Sequence, residues 1–282
     1  AIGVTTYNGR IEGGLVVPAW FKNDHPGSLI GCNGVQIPRY WDATYQTKYG
    51  NFVQALADHL GTNANLAYVQ IGVGLYGETQ PSDDSDDQCV KNAMDADFGY
   101  SNDTQRTAKW LESAKQIIDR WASAFAGRQK LFLVYTPRFI NVCEKQELTF
   151  YAANTYGIGL FAGGFYADTM TVFSTPPGGD GCQKWDPIVY WNNSPTKTIP
   201  VALESYRYML PSYDEYYWGM LGALNKHPDY LSLESDLFFV GNVGNPIWEN
   251  LEVMAFANQY LGKTPATAPN AWIALRDTAP AT

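Results

Sequence analysis

The sequence predicts an α/β protein built as a TIM-type (β/α) barrel, with six βα units visible in 282 residues. Three observations predict it. Short apolar runs alternate with segments of helical spacing, the pattern of parallel strands with helices outside. Segments after the strands are long and carry Cys, Trp and carboxylates, while those after the helices are short. In a barrel that asymmetry marks the C-terminal face as the working one. Finally, three apolar runs each end in a glutamate: Glu78, Glu204 and Glu234. An open doubly wound sheet shares the alternation. However, no GxGxxG or GxxxxGK[ST] follows any strand, which argues against a nucleotide site.

In chain order, residues 1–14 are polar and glycine-containing, with no clear period. Leu15-Val16-Val17-Pro18-Ala19-Trp20-Phe21 reads as a buried strand. Residues 22–42 read as a long loop holding His25, Cys32, Arg39, Tyr40 and Trp41. Residues 43–60 have helical spacing, with Tyr45, Tyr49, Phe52, Val53, Leu56 and Leu60 on one face and Gly61 as a cap. Next comes Tyr68-Val69-Gln70-Ile71-Gly72-Val73-Gly74-Leu75-Tyr76-Gly77-Glu78, an apolar run that ends in glycines, an aromatic and one carboxylate. A charge ending such a strand is costly unless it is partnered or used.

Residues 79–103 read as a loop with Asp83, Asp84, Asp86, Asp87 and Cys89. That acidic run lacks EF-hand spacing and reads as solvated rather than metal-binding. Residues 104–125 are the clearest helix, striped by Trp110, Leu111, Ala114, Ile117, Ile118, Trp121 and Phe125. Residues 130–135 form a strand before Arg138, and a short helix falls near residues 147–154. A glycine-rich strand, 157–164, runs into Phe165-Tyr166-Ala167-Asp168 and a loop with Cys182; a short helix is expected near residues 185–191. Strands 199–204 and 230–234 flank a helix at 213–224, and a last helix spans 248–261. The domain is thus expected over residues 1–262. Residues 263–282 form a Pro/Thr/Ala-rich extension in which Asn270 to Asp277 looks ordered, leading to a further module or packing back.

Composition narrows the function. The net charge is −9 with no basic patch, which excludes a phosphate-tracking nucleic-acid binder. No apolar run approaches the roughly 18 residues of a membrane span. Nine Trp, 19 Tyr and 13 Phe exceed what a core requires, and planar rings suit the apolar faces of sugars. Four cysteines in polar segments, none in a CxxC pair, point to two disulfides and a secreted or cell-surface protein. Two sequons, at Asn102 and Asn192, fit a glycoprotein. The chain opens at Ala1 without a signal-peptide pattern, as expected of a processed or trimmed chain. Oligomeric state is not readable from the sequence.

Closing the strands into a barrel would gather Glu78, Glu204 and Glu234 around one mouth. Glycosidic cleavage needs two carboxyl groups, one protonated to donate to the leaving oxygen and one ionised. The run ending at Glu78 and the later Ala202-Leu203-Glu204-Ser205 resemble strand ends of retaining β/α-barrel glycosidases, the large clan of β-galactosidases, cellulases and xylanases. That clan places its acid/base after the fourth strand and its nucleophile after the seventh. Counting residues 15–21 as the third strand puts Glu78 and Glu204 on those positions.

The resemblance implies a secreted glycoside hydrolase acting on an oligo- or polysaccharide by retaining double displacement. Glu78 would be the acid/base and Glu204 the nucleophile, with no metal or organic cofactor. Trp20, Arg39, Tyr76, Arg138, Asp168, Tyr206, Glu234 and Trp248 are candidates for substrate contact, and Tyr166 joins the aromatic ones. The structural alternatives are core or rim packing for the aromatics, ion pairs for Arg138 and Glu234, and a loop cap for Asp168. The strand numbering implies disulfides 32–89 and 143–182. Gly77 stands where the clan often has Asn, and the first two strands are absent. The resemblance therefore implies a fragment of an eight-stranded barrel, or a barrel that is incomplete or completed by another chain. The rival reading is a non-catalytic barrel used as a surface carbohydrate-binding or structural protein.

Overall fold

The computed structural model describes residues 2–5, 17–83, 87–135, 139–141, 143–167, 182, 186–192, 199–240, 245–263 and 267. The chain is mixed α/β and divides into two compact units, Ala1–Ile158 and Gly159–Thr282.

In the first unit, three parallel strands pair in the order β1 (Ile2–Thr5), β4 (Leu66–Ile71) and β5 (Leu131–Val134). Val69, Ile71, Phe132 and Leu133 are buried in this sheet. The helix α2 (Ala43–Leu60) begins where the Asp42 side chain accepts from Tyr45 N at 2.9 Å, and it stops at Gly61, whose φ of 54° suits glycine. The helix α4 (Asp103–Ala124) is capped by Asn102, which accepts from Gln105 N at 3.0 Å. Its expected stripe is buried as a block from Trp110 to Trp121. Each fully buried large side chain contributes about 1.5–3 kcal/mol relative to exposure. The helix α5 (Glu144–Tyr156) packs on α4 and ends at left-handed Gly157.

Three sequence expectations are corrected here. Residues 17–21 do not form the strand expected over 15–21. Ala19–Asp24 is a short helix, α1, entered from Pro18 at φ −58°, and of its residues only Phe21 is buried. Leu15 and Val16 lie outside the described residues. The sheet instead begins with β1, whose Ile2, Val4 and Thr5 are β-branched. The loop expected over 22–42 contains a hairpin, β2 (Leu29–Cys32) and β3 (Val35–Pro38). Its turn is Asn33-Gly34, with both φ positive at 47° and 82°, the signature of a two-residue hairpin turn. The loop expected over 79–103 contains a helix, α3 (Asp87–Phe98). Arg106 on α4 grips α3 through both oxygens of Asp95, at 2.8 and 2.7 Å.

In the second unit, β6 (Gly159–Ala162), β7 (Val201–Ser205) and β8 (Tyr230–Leu233) are also parallel and adjacent in that order. A short helix, α6 (Asp186–Asn192), precedes β7. The helix α7 (Tyr213–Leu224) starts in a capping box, Ser212 with Glu215. Gly219 lets it approach closely, since a Cβ there would meet Leu210 at 2.7 Å. A two-stranded ribbon, β9 (Phe239–Val240) with β10 (Asn245–Pro246), leads to α8 (Trp248–Tyr260), which packs on α7. Among the described residues no helix is long and apolar enough to cross a membrane.

Candidate active site

Glu204 lies near the C-terminal end of β7 in the second unit, whereas in the first unit the strand expected to run to Glu78 stops at Ile71, seven residues before it. Beyond β4 the chain folds into a tight turn. Gly74 N donates to Glu78 O at 2.7 Å and Leu75 N to Gln80 O at 2.8 Å. Tyr76, at φ 59°, and Gly77, at φ 76°, make the reversal. A tyrosine in the left-handed region is costly and persists only where its surroundings impose it. Here the Tyr76 hydroxyl donates to Asp83 at 3.1 Å. The turn is braced from the helices. Gly72 O accepts from the Tyr49 hydroxyl at 2.6 Å and from Trp121 Nε1 at 3.1 Å, and Thr79 O accepts from Trp110 Nε1 at 3.3 Å. Glu78 itself is half-buried, and Gln80 Nε2 donates to its Oε2 at 2.9 Å.

In the second unit Glu204 closes β7, half-buried and in register with Ser232 of β8. Ser232 Oγ lies 3.4 Å from Glu204 Oε1. Gly163, past the end of β6, leaves room for the carboxylate, because a Cβ there would stand 3.3 Å from Oε2. Buried Ser205 ties the neighbouring strand ends together, its hydroxyl donating to Phe165 O at 2.7 Å. Glu234 follows β8 in extended conformation, and its N–H donates to Ser205 O at 3.2 Å. Glu204, Ser232 and Glu234 therefore share one face of the strand pair, since side chains alternate along extended chain. Directly after β7, Tyr206 and Tyr208 stack with centroids 5.8 Å apart and planes at 8°. Partial desolvation by its neighbours, and then the charges of Tyr166, Glu234 and Glu204, push the phenol of the largely exposed Tyr208 above its usual range.

The other expected residues are placed as follows. Trp20 projects from α1 and is exposed, touching Phe21 edge-on. Arg39 does not reach for solvent. It pairs with Asp97 on α3 and donates Nε to Leu29 O at 3.3 Å, while Trp41 shares the same Asp97 oxygen. That pair fastens the hairpin to α3. Trp248 opens α8 and is exposed. Arg138 and Asp168 lie outside the described residues. Cys143 and Cys182 are disulfide-bonded. The expected 32–89 bridge is not formed: Cys32 and Cys89 carry thiols, although β2 and α3 pack together. Of the acidic run, Asp83 accepts from Tyr76 and Asp87 from Ser82 Oγ at 2.7 Å. Among the described residues no group of three or more His, Cys, Asp or Glu is arranged to hold a metal ion. The Asn102 amide of the first sequon also bonds Gln105 Oε1 at 3.0 Å.

No protein-family model matches the sequence, and no curated protein does. Among solved structures the chain is similar to a beta-galactosidase from the psychrophilic Marinomonas ef1. The likeness has a TM-score of 0.46 and 10% identity over 86% of this chain and 47% of that one. The chain thus spans about half the length of that structure.

Sequence reasoning missed Gln80, Ser232, Gly163 and Tyr208. Ser232 and Gly163 become visible only once strand register is known. Gln80 and Tyr208 carried a local signal, each two residues from a residue already singled out, Glu78 and Tyr206.

Proposed function

We propose that the chain is a glycoside hydrolase acting on an oligo- or polysaccharide by a retaining mechanism. The observation that carries this is the second unit's strand-end cluster: Glu204 and Glu234 on one face, with half-buried Tyr206 and exposed Tyr208 stacked directly after β7. In this reading the parallel strands belong to a TIM-type barrel, and Glu78 and Glu204 act on one glycosidic bond. Glu78 protonates the leaving oxygen, and Glu204 attacks the anomeric carbon to form a glycosyl ester. Glu78 then takes the proton from the incoming water, which releases the sugar with its configuration retained. Half-burial and the Gln80 amide favour one fixed orientation of the Glu78 carboxyl. The disulfide-bonded Cys143 and Cys182 support placement outside the cytosol.

The test uses Glu204→Gln and Glu78→Gln on a glycan that the unaltered chain cleaves. Glu204→Gln lowers kcat by about a thousandfold or more. Glu78→Gln costs about 10²–10⁴ on substrates with poor leaving groups and far less on activated aryl glycosides. Undiminished hydrolysis by Glu204→Gln would overturn the assignment. Glycan binding without turnover by the unaltered chain would favour the non-catalytic carbohydrate-binding reading.

A further inference from the structure

The first unit holds a cleft of about 420 Å³, a volume within the range of small-molecule sites. It lies at the end of the sheet away from Glu78. Leu131, the first residue of β5, lines it, whereas Glu78 comes after the last residue of the parallel neighbour β4. Buried Phe125, Leu131 and Ile158 form its floor and half-buried Ala122 a wall, while Tyr156 stands at the rim, 43% exposed. The helices α4 and α5 both end here, and neither has a basic residue in its last turn. The negative ends of two helix dipoles thus meet at the cleft without a cation of their own.

A carboxylate adds to that field. Asp119 precedes Ala122 by three residues, on the same face of α4. Tyr151 and Tyr156 both donate their hydroxyls to its Oδ1, at 2.6 and 2.8 Å. Among the described residues no donor meets Oδ2, and no cation pairs with this half-buried group. The basic side chains close to it in sequence are engaged elsewhere. Lys115 pairs with Glu147 at 2.5 Å and Arg128 with Asp58 at 2.8 Å, while Arg120 donates to Gln46 at 3.0 Å. Lys130 is not part of the cleft wall. The bond to Asp119 also fixes the Tyr156 ring, which meets Tyr151 edge-on at 6.1 Å.

We propose that this cleft binds a small organic cation, an ammonium, amidinium or guanidinium carried on an apolar body. The floor takes the apolar body, and Asp119 Oδ2 accepts from the charged head. The carbonyl ends of both helices and the Tyr156 ring favour the same charge. A neutral molecule of equal shape keeps only the apolar contact, and an anion is repelled. The site is independent of the glycosidase reading.

Isothermal titration calorimetry of the full chain with three probes of one shape tests it: benzamidinium, neutral benzamide and anionic benzoate. Benzamidinium binds with a Kd of roughly 1 mM or tighter, the scale of a ligand of about ten non-hydrogen atoms. Benzamide and benzoate bind at least about tenfold more weakly. Asp119→Asn keeps an acceptor for the two phenols and removes the charge, and it weakens benzamidinium about five- to tenfold. Ala122→Leu suits the helix but fills the cleft, and it abolishes measurable binding. A chain carrying both Glu78→Gln and Glu204→Gln binds benzamidinium as the unaltered chain does, which separates the cleft from the proposed catalytic carboxylates. Thermal unfolding shows that each variant is folded. Equal binding of the three probes, binding that Asp119→Asn or Ala122→Leu leaves unchanged, binding lost in the double glutamine variant, or no binding at all overturns the site.

Discussion

A methyl group at position 74 would lie 2.0 Å from the carbonyl oxygen of Gln80 and 3.1 Å from that of Glu78. Both contacts are with main chain, so no rotamer change can relieve them, and the turn that presents Glu78 must move. Gly74→Ala is therefore expected to lose about 1–3 kcal/mol of stability, as overpacking does. Because the same turn carries Glu78, the proposed acid/base, the glycosidase reading expects it also to lose turnover beyond what unfolding explains. Denaturant titration and kcat measured well below the midpoint separate the two effects. Residue by residue, what the sequence revealed was charge out of place: a glutamate ending an apolar run is visible without coordinates. It could not reveal that Arg39 would be consumed by Asp97, because that partner lies 58 positions away on a helix the composition disguised as loop.

At the scale of elements, amphipathic period was the reliable guide. The helices α2 and α7 have the expected bounds because their caps, Asp42 with Gly61 and Ser212 with Glu215, are written in the sequence. Segments of mixed polarity misled. The α3 helix begins at Asp87, in an acidic stretch of sequence, and buries only Val90, Ala93 and Met94, so its stripe was lost among polar residues. The run at 15–21 was apolar enough for a strand, but Pro18 there serves as a helix entry.

The α5 helix supplies a prediction of its own. Glu144 is buried at its first position, accepting from Phe139 N at 2.8 Å, Ile140 N at 3.2 Å and the Thr107 hydroxyl at 3.0 Å. Burial outweighs these hydrogen bonds and raises its carboxyl above the ordinary 4.5. A group raised in the folded state contributes stability that is complete below the unfolded pKa and fades as pH climbs through the folded one. The unfolding free energy of the wild type minus that of Glu144→Gln should thus fall as pH rises from the ordinary carboxylate value through the higher folded one. A difference that is flat or rising over that window would contradict it.

Over the whole molecule, the alternation of strand and helix was legible because each unit repeats it, three parallel strands at a time. The cysteines were half-legible. Their even number suggested two bridges, yet Cys32 sits on a hairpin and Cys89 on a helix, elements that had both been read as loop. Thiol titration of the denatured chain should accordingly find two reactive thiols before reduction and four after. Finding none before reduction would mean that Cys32 and Cys89 are joined in the purified protein.

The double use of one carbonyl has a practical side. Gly72 O and Thr79 O, at either end of the turn that bears Glu78, each hold the indole proton of a fully buried tryptophan, Trp121 and Trp110. Indole N–H protons resonate apart from the amide envelope, and hydrogen bonding in a dry interior slows their exchange with solvent. Two of the nine tryptophan side chains are therefore native gauges of this turn. A ligand that grips Glu78 would be felt in their exchange rates before any label or chromogenic substrate had been chosen.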